Sequence, residues 1–207
     1  MPQIDEFFDE IDASRVRRAK ELLQLKNLVI GHSDPFGIAS KAAIVLSYSH
    51  WEGFYNDCVN TYTKFLKAKG GKIKDQDWMM LTGVMVDELQ SLRDRNHSNE
   101  ARRIFVEKLY DIIDCGYDRF RSEVVYAKSN LNCATLYHNL KIMSFDSTPI
   151  NAYKIRLDTQ VVAWRHAIAH GDQPDLRSLD IEKHVKLVDD LMLLIADMFQ
   201  DAMLKRL

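Results

Sequence analysis

Apolar residues recur at helical spacing along most of the chain. Ile4, Phe7, Phe8 and Ile11, continued by Val16, Ala19, Leu22, Leu23 and Leu25, predict one long amphipathic helix to about Asn27. Gly31-His32-Ser33-Asp34-Pro35 breaks it, and Asp34 ahead of Pro35 predicts the start of a second helix with proline in its first position. That helix should run to about Ala68. Ile38, Ala39, Ala42, Ala43, Ile44, Val45 and Leu46 make its first half apolar on every side, which predicts a central position, and Tyr48, His50, Trp51, Glu52, Phe54 and Tyr55 fill its middle. Glu52 is a carboxylate among aromatics, and a buried charge needs a partner.

Residues 64–74 hold five lysines and the pair Gly70-Gly71, a solvated basic helix end followed by a loop, with RNA contact as the alternative. Further helices are predicted over Asp77–Leu92, Ile104–Ile113 and Leu131–Met143, with a polar break at 93–99, an irregular stretch at 116–130 and a loop at 144–151. Ile155, Leu157, Val161, Val162, Trp164 and Ile168 predict a helix over Ile155–Ala169 that Gly171 terminates. A turn through Pro174 follows. Ser178 or Asp180 then caps a last helix through Val185, Leu191, Ile195, Phe199 and Met203. No repeat, low-complexity tract or Pro/Gly/Ser linker divides residues 1–207. The expectation is a single all-α domain: an antiparallel bundle of four to five core helices, with a helical insertion at about 70–145.

Composition sharpens this picture. Hydrophobic residues are 46% and charged residues 28%, ordinary for a globular chain, and 8 Gly and 4 Pro are too few for a turn-rich all-β fold. A formal charge of -2 argues against holding nucleic acid by bulk charge, so any such contact must be local. The three cysteines, Cys58, Cys115 and Cys133, lack zinc spacing and fit reduced thiols in a cytoplasmic protein. Residues 1–10 carry four acidic groups and no apolar run of the secretory-signal kind, and no stretch reaches the roughly 18 apolar residues of a membrane span.

There is no glycine-rich phosphate loop, GxSxG elbow or HExxH. His166 and His170 share a helix face, but only Asp172, past the cap, is near enough to complete a metal site, so no metal and no cofactor is expected. The run Arg165-His166-Ala167-Ile168-Ala169-His170-Gly171 suits phosphodiester chemistry. Arginine offers phosphate a permanently charged fork, and histidine moves a proton near neutrality. With the 2′-hydroxyl of RNA as nucleophile, His170 would serve as general acid or base, and Arg165 would stabilise charge on the phosphoryl oxygens. The spacing alone is weak, since Arg followed five residues later by His arises by chance in roughly half of chains of this composition. Arg177 and His184 satisfy a loose version of the rule and are expected to be surface residues.

Arg165-His166-…-His170-Gly171-Asp172 resembles the signature of the HEPN superfamily (higher eukaryotes and prokaryotes nucleotide-binding): Arg, then Asn, Asp or His, then a few residues, then His. Ser47-Tyr48-Ser49-His50-Trp51-Glu52-Gly53-Phe54 resembles the tryptophan-bearing helix of one bacterial branch, and Ser129-Asn130-Leu131-Asn132 is similar to a segment that lies between the two. The resemblance implies a helical bundle that forms a homodimer, with the two Arg/His motifs meeting at the interface. It implies a metal-independent ribonuclease acting on an RNA substrate, in a toxin–antitoxin or anti-phage defence system, with an antitoxin or defence-system partner. By position, Arg165 and His170 would be catalytic and His166 a polar supporter where Asn is commoner. Glu52 would orient Arg165 or a histidine. Some members are non-catalytic nucleotide-binding, protein-binding or dimerisation modules, and a purely structural helical dimer is the third reading.

Overall fold

Ion pairs and ring contacts between the long helices fix their directions. In the computed structural model, which describes residues 4–29 and 34–207, α1 spans Ile4–Val29, α2 Ile38–Lys69 and α10 Ile181–Leu204. The partners Phe7–Phe65, Lys64–Glu10, Ser14–Asp57 and His50–Glu21 climb one helix as they descend the other, so α1 and α2 are antiparallel. Gln200–Asp12 and Lys26–Glu182 set α10 antiparallel to α1 in the same way. Tyr55, Tyr62, Phe65, Phe145 and Phe199 pack in the centre, with Tyr62 edge-on to Phe145 at 5.0 Å and Phe145 edge-on to Phe199 at 4.9 Å. Such pairs add about 0.5–1.5 kcal/mol each beyond the area they bury. The predicted all-helical bundle is present, and no strand forms among the described residues.

The start of α2 differs from expectation. Gly31, His32 and Ser33 of the predicted break lie outside the described residues. Asp34 caps a turn, its Oδ1 accepting from the Phe36 N–H at 2.9 Å, and the helix begins at Ile38. Its first half is not sheathed on every side either: Ile38 is 87% and Leu46 47% exposed, with Ala42 exposed between them, while Ala43, Ile44, Ser47 and Tyr48 face inward. Most of the large buried side chains come later, with Trp51, Phe54, Tyr55, Tyr62, Phe65 and Leu66 on the inward face. The chain leaves α2 through Gly70 and Gly71 at φ +74° and +98°.

The single helix expected over 77–92 is broken into short pieces. α3 (Ile73–Gln76), a 3-10 turn at Trp78–Met80, α4 (Leu81–Val84) and α5 (Val86–Asp94) follow in turn. Tertiary contacts break the period. Asp77 is wholly buried and accepts from the Tyr117 hydroxyl at 2.5 Å and from Arg206, and the Phe120 ring presses on Gly83 so closely that a Cβ there would lie 2.4 Å from it. α6 (Asn99–Ile113) starts earlier than its apolar pattern, because the Ser98 side chain caps it. The irregular stretch and α7 (Cys133–Ile142) follow as expected.

The motif-bearing helix is one rod of three parts: α8 (Lys154–Arg156), a π-helical stretch (Leu157–Ala163) and α9 (Trp164–Ala169). Leu157, Val161 and Val162 point inward, whereas Ile155, expected in the core, is 76% exposed. Residues from α1 to α10, Leu131, Leu136 and Leu140 of the 70–145 region among them, share one hydrophobic cluster. Cys58, Cys115 and Cys133 are buried free thiols. No helix among the described residues is long and apolar enough to cross a membrane.

Candidate functional site

Three short segments, about 80 and 35 residues apart in sequence, close on Arg165. α2 supplies Tyr48, Trp51 and Glu52. Tyr48 and Glu52 lie one turn apart, so both present to α9. The Arg165 guanidinium carbon stands 3.7 Å from the centroid of the Tyr48 ring, a cation–π contact. Its Nη2 lies 3.8 Å from Glu52 Oε2 and donates to the Ser129 carbonyl at 2.5 Å. Nε and Nη1 make no hydrogen bond among the described residues.

The loop before α7 is held for this contact. Lys128 and Ser129 adopt φ of +45° and +62°, left-handed conformations that cost a non-glycine residue of order 1–3 kcal/mol each. Surrounding bonds impose them. The Leu131 N–H donates to the Tyr48 hydroxyl at 2.9 Å, Trp51 Nε1 donates to the Leu131 carbonyl at 3.3 Å, and the Ala127 N–H donates to Asn56 Oδ1 at 2.9 Å. Burial holds the Tyr48 phenol above its ordinary pKa. Asn132 caps α7 by accepting from the Thr135 N–H at 2.8 Å, and Asp158, on the π-helical stretch, accepts from the Cys133 N–H at 2.7 Å.

The Trp51-Glu52-Gly53-Phe54 run becomes intelligible residue by residue. Trp51 and Phe54 are fully buried, and Glu52 meets Arg165. Gly53 leaves room for the Arg18 guanidinium, whose Nη1 would stand 2.7 Å from a Cβ placed there, and Arg18 goes on to pair with Asp57 at 2.9 Å.

α9 ends in a Schellman motif. The Asp172 N–H donates to the Ala167 carbonyl at 2.9 Å and the Gly171 N–H to the Ile168 carbonyl at 3.1 Å, with Gly171 at φ +82° as expected. This turn places His170 one turn after His166, ring centroids 4.4 Å apart, and both are exposed. Arg165 is only 16% exposed through its side chain, so the motif pairs a held cation with two open imidazoles. No group of three or more His, Cys, Asp or Glu among the described residues is placed to share a metal ion.

The decoy pair separates. Arg177 is at the surface, bound to Asp175. His184 is not, which corrects the expectation: it is 3% exposed, lies against Trp164 at 5.9 Å, and burial, helped by Arg156, pushes its pKa down to about 4. The apolar pattern of the last helix marked Val185 beside it but not His184 itself; the position it takes on α10 against the α8–α9 rod decides it. Sequence reasoning also missed Tyr48 and Ser129 as the seat of Arg165, although both stood inside segments already singled out.

The all-helical bundle is consistent with a HEPN domain. The chain belongs to the RiboL-PSP-HEPN family, whose sequence profile matches residues 13–201. No curated protein matches it, and no solved structure does. Membership points to a nuclease or RNA-binding module.

Proposed function

We propose that the chain is a metal-independent HEPN endoribonuclease, with Arg165 and His170 as its catalytic pair. The observation that carries this reading is the fixing of Arg165 by Tyr48, Glu52 and the Ser129 carbonyl, beside an exposed His166–His170 pair. A preset cation stabilises charge as it develops on a phosphoryl group without reorganising at the moment of reaction. The 2′-hydroxyl of the substrate attacks the adjacent phosphorus as a histidine takes its proton. The P–O5′ bond breaks, and the leaving oxygen receives a proton, giving a 2′,3′-cyclic phosphate and a 5′-hydroxyl. His170 holds one proton-transfer role. The other falls to the His170 of a second copy in a homodimer, with His166 as polar support. The uncovered stripe Ile38, Ala42 and Leu46 on α2 supports such a dimer. A role in toxin–antitoxin or phage defence rests on the resemblance of the motifs.

One observation favours a non-catalytic module instead: Arg165 already has partners, as a strut between α2 and the 129–132 loop would. Purified wild type, Arg165→Ala and His170→Ala are incubated with mixed RNA in EDTA. The nuclease reading expects cyclic or 3′-phosphate ends from wild type, and a fall of about 10²–10⁴-fold in both folded variants. Nucleotide or RNA binding without cleavage would establish the binding module.

A further inference from the structure

Between the α8–α9 rod and the start of α10 lies a pocket of about 400 Å³ lined by Arg156, Gln160, Trp164, Ser178, Asp180, Lys183 and His184. His184 is 3% exposed, and neither ring nitrogen has a hydrogen-bond partner among the described residues. Buried polar atoms are nearly always satisfied, and leaving one unpaired costs about 1–3 kcal/mol. The unpaired imidazole belongs to the pocket lining with both nitrogens closed from solvent, so it is a polar group without a partner that a ligand reaches only as the side chains around it shift.

The surroundings say what that partner is. Arg156 forms no ion pair among the described residues, and its charge is felt at His184. Lys183 Nζ lies 3.0 Å from Asp180 Oδ2. Asp180 also caps α10, accepting from the Lys183 N–H at 3.1 Å. Asp180 and Lys183 thus offset one another, leaving Arg156 as the uncompensated charge. The helix dipole of α10 adds positive potential at the same end. Ser178 and Gln160 bring further donors, and the Trp164 ring closes one side. An apolar ligand would leave Arg156 and His184 unpaired, and a cation would meet Arg156.

We propose that this pocket is a second ligand site, separate from the Arg165–His170 face, that takes a phosphoryl oxyanion between Arg156 and His184. The phosphoryl group comes either from a terminal phosphate or from the backbone of RNA.

Histidine ring resonances of the full chain, followed by NMR during titration with inorganic phosphate, test the site. The expected result is a saturable shift of the His184 signals, with affinity at least about tenfold weaker in Arg156→Ala, since a hydrogen bond to a charged group contributes about 1.5–3 kcal/mol. Arg156 is exposed, so this variant keeps the fold where His184→Phe risks losing it. Arg165→Ala should bind phosphate at this pocket as wild type does, which keeps the outcome independent of the nuclease reading. Two RNA oligonucleotides, one with a 5′-phosphate and one with a 5′-hydroxyl, separate the sources. Tighter binding of the first identifies a terminal phosphate, and equal binding, weakened alike in Arg156→Ala, identifies the backbone. No His184 shift at millimolar phosphate, or equal affinity in wild type and Arg156→Ala, overturns the proposal.

Discussion

Arg165 shows how a single side chain is tuned by its seat. The Tyr48 ring, the Glu52 carboxylate and the Ser129 carbonyl each remove freedom from a guanidinium that would otherwise sample many rotamers. Under the nuclease reading, Glu52→Gln should lower RNA cleavage about tenfold while changing stability by under about 1 kcal/mol, because the 3.8 Å pair is partly exposed. Parallel measurement of cleavage rate and urea midpoint checks this; a large loss of stability would make Glu52 a structural residue. Tyr48→Phe strands the buried Leu131 N–H, so it should cost about 1–3 kcal/mol and loosen the loop that receives Arg165. The Asp77–Arg206 pair is the counterpart at the other end of the bundle. Arg206 also lies over the Tyr62 ring at 5.4 Å, and Asp77 is wholly buried. Asp77→Ala leaves a buried cation without its partner and should destabilise the fold by roughly 3–5 kcal/mol, with part of the loss recovered in Asp77→Ala/Arg206→Met. Thermal unfolding of the single and double variants reads both effects.

At the scale of elements, the rod of residues 154–169 carries most of the argument. The π-helical stretch widens the helix just before the motif, and such bulges are frequent at functional sites. It turns Leu157, Val161 and Val162 into the core, lets Asp158 reach the Cys133 amide, and thereby ties the motif helix to the loop that seats Arg165. The end of the rod depends on Gly171. A Cβ there meets nothing within 4 Å, so the cost of Gly171→Ala is the strain of φ +82° alone, about 1–2 kcal/mol, or a few degrees in melting temperature. Fraying of this turn moves His170 before it moves Arg165. Under the nuclease reading, the variant should therefore lose more cleavage than its melting temperature alone explains, and the two measurements together decide the matter.

For the whole molecule, the buried His184 couples stability to pH. Its folded pKa, about 4, lies below the ordinary 6.5, so the unfolded chain binds the extra proton between these values. The stability gained from keeping it neutral is complete above about pH 6.5 and is lost as the pH falls towards 4, by up to roughly 3 kcal/mol. Urea titrations across that range should show this acid-side loss, and Arg156→Ala should reduce it. Much of the architecture was legible in the sequence, because helix formation follows local periodicity and capping. α1, α2, α7 and α10 fall close to their predicted ranges, and Asp180 and Gly171 act as the caps their residue types suggest. The motifs singled out Arg165, His166, His170 and Glu52 as candidates, and the fold places Glu52 beside Arg165 and His166 beside His170. The tertiary structure alone decided the rest. It broke 77–92 through the buried Asp77 and the Phe120 ring on Gly83, exposed Ile38 and Leu46, and buried His184. It also brought Tyr48 and Ser129 to Arg165. These outcomes depend on contacts between residues far apart in the chain, and periodicity, which reports only on near neighbours, contains no information about them.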